Sequence, residues 1–217
     1  MRFSYLGWAT SLALSLTVAP LTLPTIPTTQ IFLPFAAAQT AVDQFQQAGL
    51  LIEQGNQQTR TSQYQAAIQS YQQALEIYQS ADVRQAFSQE SRAGEADALG
   101  NLGVAHRSLS QYQRAIDYYQ QALSIHQEVG DRNSEGVLLA DIGRLYVAQN
   151  SPQSAIQQLQ SSVEVRESIR AELRQLPPET QQAFTDSVAN DYRLLAELLR
   201  QQNRNQEAQA ILNLLEL

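Results

Sequence analysis

From about residue 41 to the end of the chain, apolar and small residues recur at steps of three and four, with Gln, Glu, Arg and Ser between them. That period puts the apolar positions on one stripe of a helix, so the pattern predicts a succession of amphipathic helices and an all-α chain. No segment alternates with the two-residue period of a strand. Four short clusters interrupt the pattern and predict helix ends: Gly130-Asp131-Arg132-Asn133, Asn150-Ser151-Pro152, Leu176-Pro177-Pro178 and Gln202-Asn203.

The helical stretch repeats itself. Residues 63–79 read QYQAAIQSYQQALEIYQ and residues 111–127 read QYQRAIDYYQQALSIHQ, identical at 12 of 17 positions. Gly55 and Gly103 precede the two copies at the same spacing, and Gly143 continues the register one unit further on. In the second copy, large residues (Leu99, Leu102, Tyr112, Tyr119) alternate with small ones (Gly103, Ala115, Ala122). Tyr64, Ala67, Tyr71 and Ala74 hold the corresponding places in the first unit, and Tyr146, Ala155 and Leu159 in the third. A weaker fourth unit carries Tyr192, Leu195, Ala196, Leu199, Ala208, Leu212 and Leu215. Measured against the step from Gly103 to Gly143, the first spacing has an excess near DVRQAFSQ. The last, from Gly143 to Ala196, has one that lengthens the helices around LPPE.

This alternation resembles the tetratricopeptide (TPR) consensus, a helix-turn-helix unit whose small residues let two helices approach while large ones fill the gaps. The resemblance implies a right-handed superhelical solenoid of about four helix pairs, with units near 48–80, 96–129, 136–175 and 189–217. One helix pair buries too little alone, so each unit must present a matching surface to the next. The segment SIRAELRQLPPETQQAFTDSVANDYRLLAELLRQQNRNQEAQAILNLLEL (168–217) also resembles the end of the TPR array that precedes a caspase-like CHAT domain in cyanobacterial-type proteins. No catalytic residue carries over from that family, because its His and Cys would lie after Leu217. The alternative this implies is a detached or truncated recognition arm of such a peptidase.

Residues 1–38 differ from the rest. Arg2 is their one charged residue, LGWATSLALSLTVA (6–19) is an uncharged apolar run, and Ala36 and Ala38 stand at −3 and −1 of an A-x-A site. The layout predicts a secretory signal peptide over 1–38, cleaved after Ala38, and a periplasmic or secreted solenoid over 39–217. An uncleaved membrane anchor is the alternative. The formal charge is −7, its 14 basic residues are all arginine and none is clustered, which argues against nucleic acid as a partner. There is no cysteine, so thiolate chemistry, disulfides and cysteine-based metal sites are excluded.

Candidate chemistry is sparse. His106 takes an aromatic packing position, and His126 ends a helix where an imidazole meets free carbonyls. Neither has metal-ligand spacing. Gly100 and Gly103 lie within a helical pattern with no preceding strand, unlike a phosphate loop. The expectation is therefore a protein without catalytic activity, cofactor or metal, binding a protein or peptide by shape. In a TPR array the first helices line the binding surface, which singles out Asn56, Arg60, Asn101, Arg107, Arg144, Arg193 and Arg200. Five arginines there suit an acidic peptide or terminal carboxylate. The competing reading pairs Glu197 with Arg193 and Arg200, and Asp141 with Arg144, as surface ion pairs. The chaperone-type carboxylate clamp is not expected: its positions hold Ile52, Asn56, Asn101, Val137 and Asp141, and only the asparagines agree.

Overall fold

The computed structural model describes the backbone of residues 28–216 and, from residue 39 onward, the side chains. The predicted leader thus lies largely outside the described residues, while its cleavage point falls within the first helix. The described residues form α1 (Thr28–Arg60), α2 (Tyr64–Gln79), α3 (Ala81–Ala86), α4 (Ser88–Ser108), α5 (Tyr112–Val129), α6 (Arg132–Ala148), α7 (Pro152–Leu173), α8 (Pro178–Gln201) and α9 (Asn205–Asn213). None of these helices is long and apolar enough to cross a membrane. Four helix pairs follow one another: α1–α2, α4–α5, α6–α7 and α8–α9. The extra short helix α3 takes up the surplus near DVRQAFSQ, and the surplus around LPPE goes into the long α7 and α8, each opened by a proline at its first turn.

Every pair turns in the same way. Ser62, Ser110, Asn150 and Asn203 all have positive φ, between 56° and 61°, and each stands seven residues after Gly55, Gly103, Gly143 or Ala196. The next residue's N–H reaches back five residues, from Gln63 to Gln58 O (2.8 Å), Gln111 to His106 O (2.9 Å), Ser151 to Tyr146 O (2.8 Å) and Arg204 to Leu199 O (2.9 Å). With the accompanying three-residue bonds, this is a Schellman closure, which satisfies carbonyls that the helix end leaves free. The turns are thus an independent marker of the register read from the glycines. Between α5 and α6 the closure uses Gly130 (φ 74°), and Asp131 then caps α6 by accepting from the Ser134 N–H at 3.0 Å.

Within the pairs, absent side chains make room for large ones. A Cβ on Gly55 would overlap the Tyr71 ring, one on Gly103 would overlap Tyr119, and one on Gly143 would lie 2.8 Å from Leu159 Cγ. These six residues are related by the same sixteen-residue step. The core is correspondingly a relay of small clusters. Ala48, Leu51, Ala74 and Tyr78 lie in the first pair, and Tyr71 and Ala67 pack against Leu102 and Ala105 of the second. Ile116 and Tyr119 meet Leu138, Ile142 and Leu145, and Ile156 and Leu159 meet Tyr192, Leu195 and Leu199. The fold is an all-α, TPR-like solenoid, as the repeat predicts.

One stripe of each first helix docks on the preceding pair. It is Glu95, Ala98, Leu102 and Ala105 in α4, Glu135, Leu138, Ile142 and Leu145 in α6, and Val188, Asp191, Leu195 and Leu198 in α8, all buried. The corresponding residues of α1 are Gln47, Leu50, Gln54 and Gln57, all exposed. At the other end, Gln209 and Glu216 are exposed where earlier second helices place Ile68, Ile116, Ile156 and Leu75, Leu123, Val163. At these end positions the side chains are polar except for Leu50.

Candidate functional site

The first helices α1, α4, α6 and α8 share one face, and the structure shows what becomes of the arginines there. Arg107 on α4 donates to Asp141 Oδ1 on α6 at 3.2 Å; Arg144 donates to the same oxygen at 2.8 Å and also pairs with Asp191 on α8. Arg166, from α7, donates to the other Asp191 oxygen at 2.6 Å. These five groups form an ionic relay across three repeats. Its outer members Arg107 and Arg144 are about 40% exposed, whereas Asp191 and Arg166 are below 10%. The relay lies where the helices must stay in register, and its inner pair needs every partner it has, because a buried charge left alone is costly.

Two of the candidate arginines are thus already ion-paired within the chain, although three guanidiniums against two carboxylates leave the relay one positive charge. The pairing of Asp141 with Arg144 forms as the competing reading has it. Glu197 does not take the arginines: it accepts from Gln201 at 3.4 Å. Arg60, Arg193 and Arg200 are exposed and make no ion pair among the described residues; Arg193 has a long 3.4 Å bond to Asn190. They sit at the two ends of the array, on α1 and α8. Asn56 is half-buried and accepts from the Tyr71 hydroxyl at 2.9 Å, so its side chain serves the first pair's core. Asn101 is half-buried and lines a cleft between α4 and α6, together with Ala96, Asp97, Gly100, His126, Ser134, Val137 and Leu138.

The histidines divide. His106 is 5% exposed and stacks on Tyr118 with ring centroids 5.2 Å apart, and its Nδ1 lies 2.6 Å from Gln111 Oε1. That is the packing role its position predicts. His126 Nδ1 lies 3.2 Å from Asp131 Oδ2 instead of at a helix-end carbonyl, and its own backbone carbonyl closes the turn by accepting from the Asp131 N–H at 2.9 Å. Asp131 is held below the usual carboxylate range by the backbone and side-chain bonds from Ser134 and by His126, against the opposing effect of burial.

What the sequence reading missed lies between units. Arg92, Glu95 and Gln79 make one clamp, and Arg132, Glu135 and Gln127 make its counterpart at the next interface. Members of each trio come from adjacent pairs at the repeat spacing, so the recurrence of R-x-x-E at 92–95 and 132–135 was the available signal. The Asp191–Arg166 pair had none, since no other unit carries it.

Residues 94–168, running from α4 into α7, match the tetratricopeptide repeat family. No curated protein matches the chain. Among solved structures it is similar to the apo form of RapI, at 14% identity and TM-score 0.60, over 77% of this chain and 53% of that one. It is similar to BtubC (BKLC) from P. vanneervenii, at 17% identity and TM-score 0.59, over 78% and 61%. A third is the Rap conjugation gene regulator of the plasmid pLS20 in complex with the Phr* peptide, at 16% identity and TM-score 0.52, over 77% and 40%. The chain therefore spans less than two thirds of the length of each. At such identities the likeness is one of fold.

Proposed function

We propose that this chain is a non-catalytic, exported scaffold that holds a protein or peptide partner on the face shared by α1, α4, α6 and α8. The observation that carries this reading is the ionic relay from Arg107 to Asp191. It ties three successive first helices into one surface whose shape is fixed before a partner arrives, and preorganisation lowers the entropy cost of binding. A fold neighbour, the pLS20 regulator, was solved with a peptide, which supports a peptide-sized partner. Acidic groups of that partner would meet Arg60, Arg193 and Arg200, the first-helix candidates that make no ion pair among the described residues. The leader-like residues 1–38 support export. Cleavage after Ala38 leaves every described core residue, from Ala41 onward, in the mature chain.

Site-specific photo-crosslinking in the native envelope tests the reading. A crosslinker at Arg200 or Asn101 should capture a partner, and one at the exposed Gln121 on the second helix α5 should not. Capture from Gln121 alone would place the binding surface on the opposite face. N-terminal sequencing of the native protein should begin at Gln39. The resemblance of residues 168–217 to the arrays that precede CHAT domains favours a second reading, in which the chain is the recognition arm of a caspase-like peptidase encoded with it. A CHAT reading frame adjoining the gene would support it.

A further inference from the structure

The three interfaces between successive pairs place different residues at one register position. At the first it is Tyr78, whose ring lies against Gly94 so closely that a Cβ on that glycine would overlap it. At the third it is Arg166, whose stem covers Gly136 and whose charge meets Asp191. At the second it is His126, shorter than either, and Ser134 stands where the first interface has Gly94. The second interface is therefore incompletely filled. The gap opens as a cleft of about 210 Å³ between α4 and α6, on the first-helix face.

Its lining is of two kinds. Ala96, Val137 and Leu138 supply apolar wall, Val137 being 42% exposed, and Gly100 leaves space on its side, with nothing within 4 Å of where a Cβ would stand. Asp97 and Asn101 from α4, and Ser134 from α6, supply polar groups. Asp97 has no hydrogen bond or ion pair among the described residues. Although it is exposed, the crowding of the cleft removes enough of its water to raise its carboxyl above the ordinary value; His126 opposes that shift and Asp131 adds to it. Asp97 is the one carboxylate in the lining, Asp131 lies close behind it with the His126 imidazole tied to it, and no arginine is among the lining residues, so the cleft has a negative character.

We propose that this cleft receives a cationic side chain of the bound partner, arginine or lysine, with its aliphatic stem along Val137 and Leu138 and its charge at Asp97. The assignment rests on the scaffold reading above and adds chemistry to its middle. Acidic groups of the partner would engage the arginines at the two ends of the face, and a basic residue would sit between them. An acidic side chain would meet Asp97, with the Asp131 charge behind it, and a short polar one would leave the apolar wall wet. A stem of three or four methylenes covers that wall while its cation stays at the rim, as long basic side chains do on apolar surfaces.

Four probes test this on the full chain by nuclear magnetic resonance titration: acetyl-Gly-Gly-Xaa-Gly-Gly-amide with arginine, lysine, norleucine or glutamate at Xaa. The basic peptides should shift the amide signals of Asp97, Gly100, Asn101 and Ser134. They should bind roughly two- to fivefold more tightly than the norleucine peptide, the range expected of a solvent-accessible ion pair. Asp97→Asn should abolish that preference without lowering the melting temperature. Equal binding of norleucine or glutamate, or no shift at these four amides, would overturn the proposal. If the crosslinks from Arg200 persist in Asp97→Asn while the peptides show no preference, the scaffold stands and the cleft assignment fails. If the cleft binds cations as described but no first-helix crosslink forms, the scaffold reading is the one that fails.

Discussion

At one register position the first and third interfaces of the solenoid carry opposite chemistry. Between the first two pairs, Tyr78 lies on Gly94 with Ala98 beside the same docking stripe, so contact is by ring against backbone. Between the last two pairs, the corresponding positions are Arg166 and Asp191, two buried charges that satisfy each other. A solenoid tolerates both because each interface touches only its neighbours. Contact geometry is inherited from the repeat, whereas the groups that fill it are free to diverge, and at the second interface the filling has diverged into a cleft.

If that contrast is right, the largest effect comes from the ionic side. Asp191→Ala leaves Arg166 buried without a carboxylate and should cost about 3 to 5 kcal/mol, seen as a lowered denaturant midpoint. The paired change Asp191→Leu with Arg166→Met should recover most of that loss, since a well-packed apolar pair replaces buried ions at little cost. A double variant as unstable as the single one would mean that the charges do more than fill space.

At the first interface, and within the second pair, the expected damage is steric. Gly94→Leu should cost about 1 to 3 kcal/mol through overpacking against Tyr78, and Gly103→Leu a similar amount against Tyr119. Gly100→Ala, three residues away on the same helix, should gain up to about 1 kcal/mol, because nothing lies in its path and alanine is the better helix former. Thermal melts of the three variants side by side would show whether the close contacts are as specific as the structure has them.

Glu95, also at the first interface, gives a pH signature. Burial works against its ionised form, but Gln79, Arg92 and Arg84 outweigh that and hold its carboxyl below the ordinary value. A depressed folded value means that the carboxylate contributes stability above its unfolded value, near 4.3, and loses it as pH falls through the folded one. Glu95→Gln should therefore cost about 1 kcal/mol at neutral pH. The gap to the parent should close below about pH 4. A gap unchanged across that range would assign the loss to shape instead of charge.

The smallest expected effect separates the two nearly identical helices. The Tyr71 hydroxyl donates to Asn56 Oδ1 at 2.9 Å and lies 3.0 Å from Thr59 Oγ1. Tyr119, its counterpart, has Val104 and Arg107 at those register positions, and its buried hydroxyl has no hydrogen-bond partner among the described residues. Burial, with Asp141 adding to it, pushes the Tyr119 phenol up to about 12. Tyr71→Phe should cost about 0.5 to 1 kcal/mol, and Tyr119→Phe should cost nothing or stabilise slightly.

Much of this was legible in the sequence because the same steric need recurs. Gly55, Gly103 and Gly143 announce where helices cross, and the residues sixteen further on announce what crosses them. The surplus near DVRQAFSQ and the one around LPPE could be counted before their form, as α3 and as longer helices, was known. Contacts made once were not legible. Asp191 and Arg166 lie far apart in the chain, on helices of different pairs, and a charged residue on a helix reads as solvated until its neighbour is known. For the same reason the candidate arginines could be placed on the first-helix face, but not sorted into those held by Asp141 and Asp191 and those left open at Arg60, Arg193 and Arg200.

Hydrogen exchange across the whole chain, comparing the parent with Asp191→Ala, tests the stacked architecture most directly. Nearest-neighbour coupling predicts that amides of α8 and α9 lose most of their protection and those of α6 and α7 lose some, while α1 and α2 exchange at the parental rate. Equal loss of protection from α1 to α9 would show a single cooperative core and contradict the account.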